Sequence, residues 1–246
     1  MKFAKSLVAA AIAASAFAAF AAEPEVTPYR PGVGSPAVLS AAGFFELEAG
    51  YEYGKAEGVR ADTFGLLLKY GINDNFGLLV GVNPYQRLRA DGASISGMSD
   101  SYLGVKFVNK MNESTALGLQ LITTLPTGKR AFRSDDPNLT LTGLAGFDYS
   151  GFHSDINLGF TRLGEGDSRN IFGWSGSIGR TLSGPVSGAL ELSGTRQSGL
   201  TSTRLLGSLA YAVDKRLVLD AYVSRAKAEG VYGTTAGVGF SYLFAK

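Results

Sequence analysis

The polar side chains that could do chemistry in this sequence are scattered, but they recur at alternate positions. Glu46, Glu48 and Glu52 alternate with apolar or small residues, as do Asp100, Tyr102, Gly104 and Lys106, then Gly118 and Gln120, then Asp155 and Asn157. Lys69, Asp148, Glu191 and Asp220 stand singly between apolar neighbours, and Arg204 lies between Thr203 and Leu205. Such spacing puts each set on one face of an extended strand. Carboxylates outnumber basic groups among them. Facing inward in a closed barrel, Lys69, Lys106, Asp148 and Asp155 would form a charged belt able to orient ions or a small solute. The same mixture of charges could equally be an internal salt-bridge network that closes the barrel.

Covalent chemistry is poorly supported. His153 is the only histidine, and Ser154, its neighbour, points to the opposite face of a strand, so this dipeptide cannot form a Ser-His pair. A serine from elsewhere stays open, with a lipid hydrolase as the outcome, but a solvated turn residue is the expected role of His153. Arg130, Arg133, Asp135 and Asp136 could bind a divalent ion or a lipopolysaccharide phosphate. Adjacent acids supply no coordination geometry by themselves, so a solvated loop with local ion pairs is expected there. No catalytic residue, metal site or cofactor is expected.

The elements that would position these residues are strands. In 117–128, Leu117, Leu119, Leu121, Thr123 and Leu125 share one face, opposed by Gly118, Gln120, Ile122 and Thr124, and Pro126-Thr127-Gly128 ends the strand in a turn. One face suits lipid and the other a water-facing lumen. The pattern repeats at 45–53, 64–72, 76–82, 100–107, 139–149, 155–163, 171–182, 186–195, 203–213, 217–224 and 234–244, which makes twelve strands. Short turns are expected at 73–75, 109–113, 150–152, 183–185 and 214–216, alternating with longer polar links at 54–61, 86–96, 129–138, 164–170, 196–202 and 227–233. That alternation predicts an all-β, up-and-down antiparallel transmembrane barrel, with the short turns in the periplasm. Tyr70, Phe76, Phe107, Phe147, Tyr149, Tyr211, Tyr242 and Phe244 would form an aromatic girdle beside the short turns.

Composition fits an exported membrane protein. Lys2 and Lys5 precede an apolar run and Ala19-Phe20-Ala21, which reads as a signal peptide over 1–21 cleaved near 21/22. Loss of those two lysines lowers the basic count from 23 to 21, equal to the 21 acidic residues, so no nucleic-acid partner is indicated. There is no cysteine, which excludes disulfides. Residues 22–42, with Pro24, Pro28, Pro31 and Pro36, lack periodicity and read as an irregular periplasmic segment before the barrel at 43–246, tucked at its mouth or plugging it.

Three short stretches carry a resemblance. Gly97-Met98-Ser99-Asp100-Ser101-Tyr102-Leu103-Gly104-Val105-Lys106, then Leu125-Pro126-Thr127-Gly128, then Asn157-Leu158-Gly159 resemble the outer-membrane family called the MetA-pathway of phenol degradation, over 43–244. The resemblance implies a porin-like transporter or channel in the outer membrane of a Gram-negative bacterium, associated with breakdown of aromatic compounds. The expected function is therefore passive uptake of small organic solutes, aromatic ones among them, with a closed structural or surface-interaction barrel as the alternative. Membrane lipid, a small-molecule solute and the barrel-insertion machinery are the expected partners. If the turn before 117 centres on Met111, Gly104 lies opposite Gly118 and Tyr102 opposite Gln120, giving a glycine-floored patch in the lumen.

Overall fold

The computed structural model describes residues 23–167 and 169–244. The expected signal peptide, 1–21, lies outside the described residues. The strands are β1 (Phe45–Ala56), β2 (Val59–Gly71), β3 (Phe76–Ala90), β4 (Ala93–Gly97), β5 (Ser101–Asn112), β6 (Thr115–Leu125), β7 (Asn138–Tyr149), β8 (Phe152–Arg162), β9 (Asn170–Ser183), β10 (Val186–Gln197), β11 (Leu200–Ala212), β12 (Leu217–Ala228) and β13 (Val231–Leu243). Each pairs antiparallel with its neighbour, and β1 pairs with β13 to close the sheet. The closed barrel has twelve strands; β4 is an extra one, paired only with the far end of β3. Closure leaves no long strand edge unpaired, as a wall in lipid requires.

Alternation sets the two faces of the wall. On β6, Leu117, Leu119 and Leu121 are exposed on the outside while Gln120 is buried inside. Lys69 and Lys106 are 1% and 0% exposed, so the most deeply buried long side chains of this molecule are charged. The arrangement inverts that of a soluble protein and matches a barrel whose solvent is lipid. Phe45 and Tyr70, Phe76 and Phe107, and Tyr242 and Phe244 pack as ring pairs at 4.6, 5.0 and 5.2 Å, all at the short-turn end.

The short turns are built by local side-chain acceptors. Asn73 Oδ1 accepts from the Asn75 and Phe76 amides, and Asp214 Oδ1 from the Arg216 and Leu217 amides.

The opposite end departs from expectation. The links read as long at 54–61, 86–96, 196–202 and 227–233 are strand almost throughout, and they close in two-residue turns. Glu57-Gly58, Asp91-Gly92, Ser198-Gly199 and Glu229-Gly230 all have positive φ at both positions, the conformation that matches the twist of a hairpin. Charged residues on the outer face of these extensions disguise the alternation. Loops at this end, among the described residues, include 98–100, 126–137 and 163–167.

Two register details also differ. The β5–β6 turn lies at Glu113 and Ser114, where Asn112 Oδ1 accepts the Ser114 amide, and a bulge falls between Lys110 and Asn112. Between β2 and β3 a bulge sets Phe64 opposite Tyr85 but Leu66 opposite Val82. This bulge reverses the parity of β3, so Tyr85, Arg87 and Arg89 join the outer face.

Candidate functional site: a lumen strapped by the chain itself

The segment ahead of β1 runs inside the barrel. It enters at the short-turn end, where the Val26 amide donates to the Lys215 carbonyl and Glu23 and Glu25 lie near Lys215 and Arg216. It bends at Gly32 to Gly34 and returns to the same end, where Gly43 N donates to the Gly71 carbonyl just before β1 begins. We call residues 26–42 the strap.

An irregular backbone inside a barrel must satisfy its own polar groups, and the strap does so by donating to the wall. Thr27 N donates to both carboxylate oxygens of Glu46 at 3.2 Å, and Tyr29 N and Arg30 N donate to Glu48 at 2.7 and 3.0 Å. Val33 N and Gly34 N donate to Glu191 at 3.0 Å. Ser35 N donates to Asn157 Oδ1 at 2.6 Å, and Ala37 N to Asp155 Oδ1 at 3.0 Å. The intervening Pro28, Pro31 and Pro36 have no amide proton to satisfy. Proline spacing and wall acids thus fit one another.

The cations complete the network. Lys69 Nζ lies 2.6 Å from Glu46, Glu48 and the Thr27 carbonyl. Lys106 Nζ donates to Ser35 Oγ at 2.8 Å and to the Pro36 carbonyl at 2.6 Å. The Tyr29 ring is held between these two lysines, each ammonium 3.8 Å from its centroid. At the apex, Arg30 donates to Asp220 through Nε and Nη2 at 3.2 Å. Its guanidinium rests against Gly50 and Gly239, which pair directly across β1 and β13; a Cβ on either would overlap it. Gln120 accepts from Ser35 Oγ at 2.9 Å.

The strap therefore gathers Glu46, Glu48, Lys69, Lys106, Gln120, Asp155, Asn157, Glu191 and Asp220, all read from sequence as lumen residues. Others lie elsewhere. Asp100 sits before β5, where its carboxylate accepts the Gly128 and Ser134 amides at 2.9 and 2.8 Å and shapes the 126–137 loop. Arg204 faces inward from β11 nearer the loops. The expected patch of Gly104 against Gly118 and Tyr102 against Gln120 does not form. With the turn displaced to Glu113 and Ser114, Gly104 faces Ile122, Gly118 faces Val108, Tyr102 faces Thr124 and Lys106 faces Gln120. The Tyr102 ring instead lies over Gly81 of β3.

His153 is also corrected: it lies not in the turn but on the inward face of β8, partly exposed at the rim. Its Nδ1 lies 2.8 Å from Asp148 Oδ1 at the rim and its Nε2 3.0 Å from Asp155 Oδ2. Both ring nitrogens are engaged by carboxylates, which leaves none to activate a serine. Among the described residues no group of three or more His, Asp and Glu side chains is placed to hold a metal ion.

Space remains on both sides of the strap. A cavity of about 780 Å³ extends to the short turns, lined by Tyr29, Val38, His153, Ser177 and Leu206. A smaller one of about 340 Å³ lies toward the loops, lined by Glu52, Asn83, Tyr102 and Ile122. Arg30, Gly32 and Gly34 border both.

Solved structures that share this fold include porins and a hydrocarbon channel. The KdgM porin is 16% identical with a TM-score of 0.58, covering 80% of this chain and 99% of its own. The NanC porin is 12% identical with a TM-score of 0.61, covering 80% and 98%. The CymD monoaromatic hydrocarbon channel is 9% identical with a TM-score of 0.53, covering 83% and 89%. No curated protein matches the sequence. Residues 30–244, from the strap apex through the last strand, match the family described as "Putative MetA-pathway of phenol degradation", and the chain belongs to that family of outer-membrane barrels.

Proposed function

We propose that the protein is a passive outer-membrane channel for small organic solutes, aromatic compounds among them, and that the strap sets its conducting state. The observation that carries this reading is the occupant of the lumen. A segment of the chain, rather than bulky wall side chains, divides the barrel, and a cavity remains on either side. Twelve strands lie between the side-chain-filled barrels of eight and the open pores of sixteen or more, so partial occlusion changes flux strongly. The family description names phenol degradation, and one fold relative is titled a monoaromatic hydrocarbon channel; both support the aromatic class. We place the short-turn end in the periplasm. The outward Val238, Phe240 and Tyr242 of β13, followed by Phe244, suit docking to the barrel-insertion machinery.

Planar-bilayer recording of the full chain and of a variant lacking 26–37 tests the reading. Measurable conductance that rises in the deletion variant supports it. A folded deletion variant without conductance or solute flux overturns it in favour of a closed structural barrel, a reading that the buried ion pairs of Lys69 with Glu46 and Glu48 favour.

A further inference from the structure

The outer wall carries a feature that solute passage does not explain. At the loop end, the sheet register lines up Arg225, Thr234, Lys55, Arg60 and Arg89 as one continuous row across β12, β13, β1, β2 and β3. All five face outward, and Lys55, Arg60 and Arg89 are three cations in directly opposed positions. Like charges opposed across a sheet repel, so the row is unfavourable by itself. Within the row Arg89 pairs with Asp62, which also accepts from the Tyr51 hydroxyl and lies directly opposite Arg87. Among the described residues none of Lys55, Arg60, Arg87, Arg225 and Lys227 makes an ion pair with a carboxylate. The acids Glu57, Asp91 and Glu229 lie in the hairpin turns beyond the row.

Two further observations describe the missing partner. On β12, β13 and β1 the row borders the apolar wall directly through Val223, Ala236 and Tyr53; on β2 and β3 Asp62 and Arg87 intervene, and Val238, Tyr51, Phe64 and Tyr85 follow below. Tyr232 lies between Arg225 and Lys227, with the cationic centres 5.1 and 5.4 Å from its ring, and Arg225 also donates to Thr234 Oγ1 at 2.7 Å. Aromatic and basic side chains at the upper edge of an apolar belt are placed for headgroups, with acyl chains lying below.

We propose that this row is a binding site for the phosphate groups of an anionic lipid in the outer leaflet, with Lys55 and Arg60 at its centre and Arg225 and Arg87 flanking them. A soluble anion could meet the charges, but only a lipid also covers the apolar rows beneath. Phosphate oxygens between Lys55 and Arg60 turn their repulsion into shared attraction. This inference does not rest on the channel reading.

The test uses the full folded barrel in zwitterionic detergent micelles, titrated with diphosphoryl lipid A and followed by intrinsic fluorescence. Saturable binding is expected, weakened at least tenfold in the Lys55→Ala/Arg60→Ala variant and measurably in Arg225→Ala, while Arg196→Ala, on the outer face of β10 away from the row, binds as wild type. Heat-modifiable gel mobility checks that each variant is folded. Equal binding by the double variant overturns the proposal, as does equal binding of the dephosphorylated glycolipid. So does a comparable loss in Arg196→Ala, which reduces the effect to general charge. Sodium diphosphate displacing the lipid at equal concentration assigns the row to a free anion and likewise overturns it.

Discussion

The inner and outer faces of this wall obey one alternation rule and treat charge in opposite ways. Inside, Lys69 and Lys106 are fully buried, and carbonyls, hydroxyls, carboxylates or the Tyr29 ring surround both. Outside, Lys55 and Arg60 oppose one another with no carboxylate partner among the described residues. The difference shows where the molecule completes itself and where it depends on its surroundings. The lumen's buried acceptors are satisfied by the chain's own segment. The outer cations await an external counter-charge.

The largest effect that would break this contrast is loss of the strap. A variant lacking 26–37 should fold and conduct several-fold more than the full chain in planar bilayers, because the barrel's own ladder is untouched. Next is Lys69→Met, which leaves Glu46 and Glu48 as close buried carboxylates without their cation. Breaking such a buried set costs about 3–5 kcal/mol, measurable by urea unfolding in lipid vesicles. Gly50→Ala is gentler: its Cβ occupies the place of the Arg30 guanidinium, so the apex should shift, the Asp220 contact should weaken, and single-channel conductance should rise less than in the deletion. The smallest effect sharpens the outer half of the comparison. Lys55→Met should leave stability in phosphate-free detergent within about 0.5 kcal/mol of wild type, or slightly higher through relief of repulsion. A loss of several kcal/mol there would show that Lys55 serves the fold itself.

Much of the barrel was legible because alternation is local. Leu117, Leu119 and Leu121 against Gly118 and Gln120 declare two faces without knowledge of any partner strand. Register is less legible, since it depends on the turn: the Asn112 side chain moved the β5–β6 turn past Met111 and with it every cross-strand partner of Tyr102 and Gly104. The bulge at Phe64 and Leu66 similarly carried Arg87 and Arg89 to the outside, which no period-two reading of β3 reveals. The hairpins at the loop end were hidden although Asp91-Gly92 and Ser198-Gly199 are turn signals, because charged residues on the outer face broke the apolar pattern on either side.

The strap was the least legible part. Its contacts join residues as far apart as Arg30 and Asp220, and it has no periodicity of its own. A signal was nevertheless present in the excess of inward carboxylates over cations. Acceptors buried in such number require donors, and the 22–42 segment offers amides interrupted by prolines where none is needed. His153 was missed for a related reason: Asp155 is its same-face neighbour two residues along β8, but Asp148 meets it only because the β7–β8 hairpin folds them together.

The doubling back of the strap bears on assembly order. A segment running from one mouth to the other would have to be threaded before the wall closed. This one leaves by the end at which it enters, so closure of β1 on β13 can come first and the bent segment can slide in afterwards as a preformed tongue. Cargo fused ahead of residue 23 never has to cross the constriction, and a fluorophore there reports withdrawal of the tongue from one side of the membrane alone.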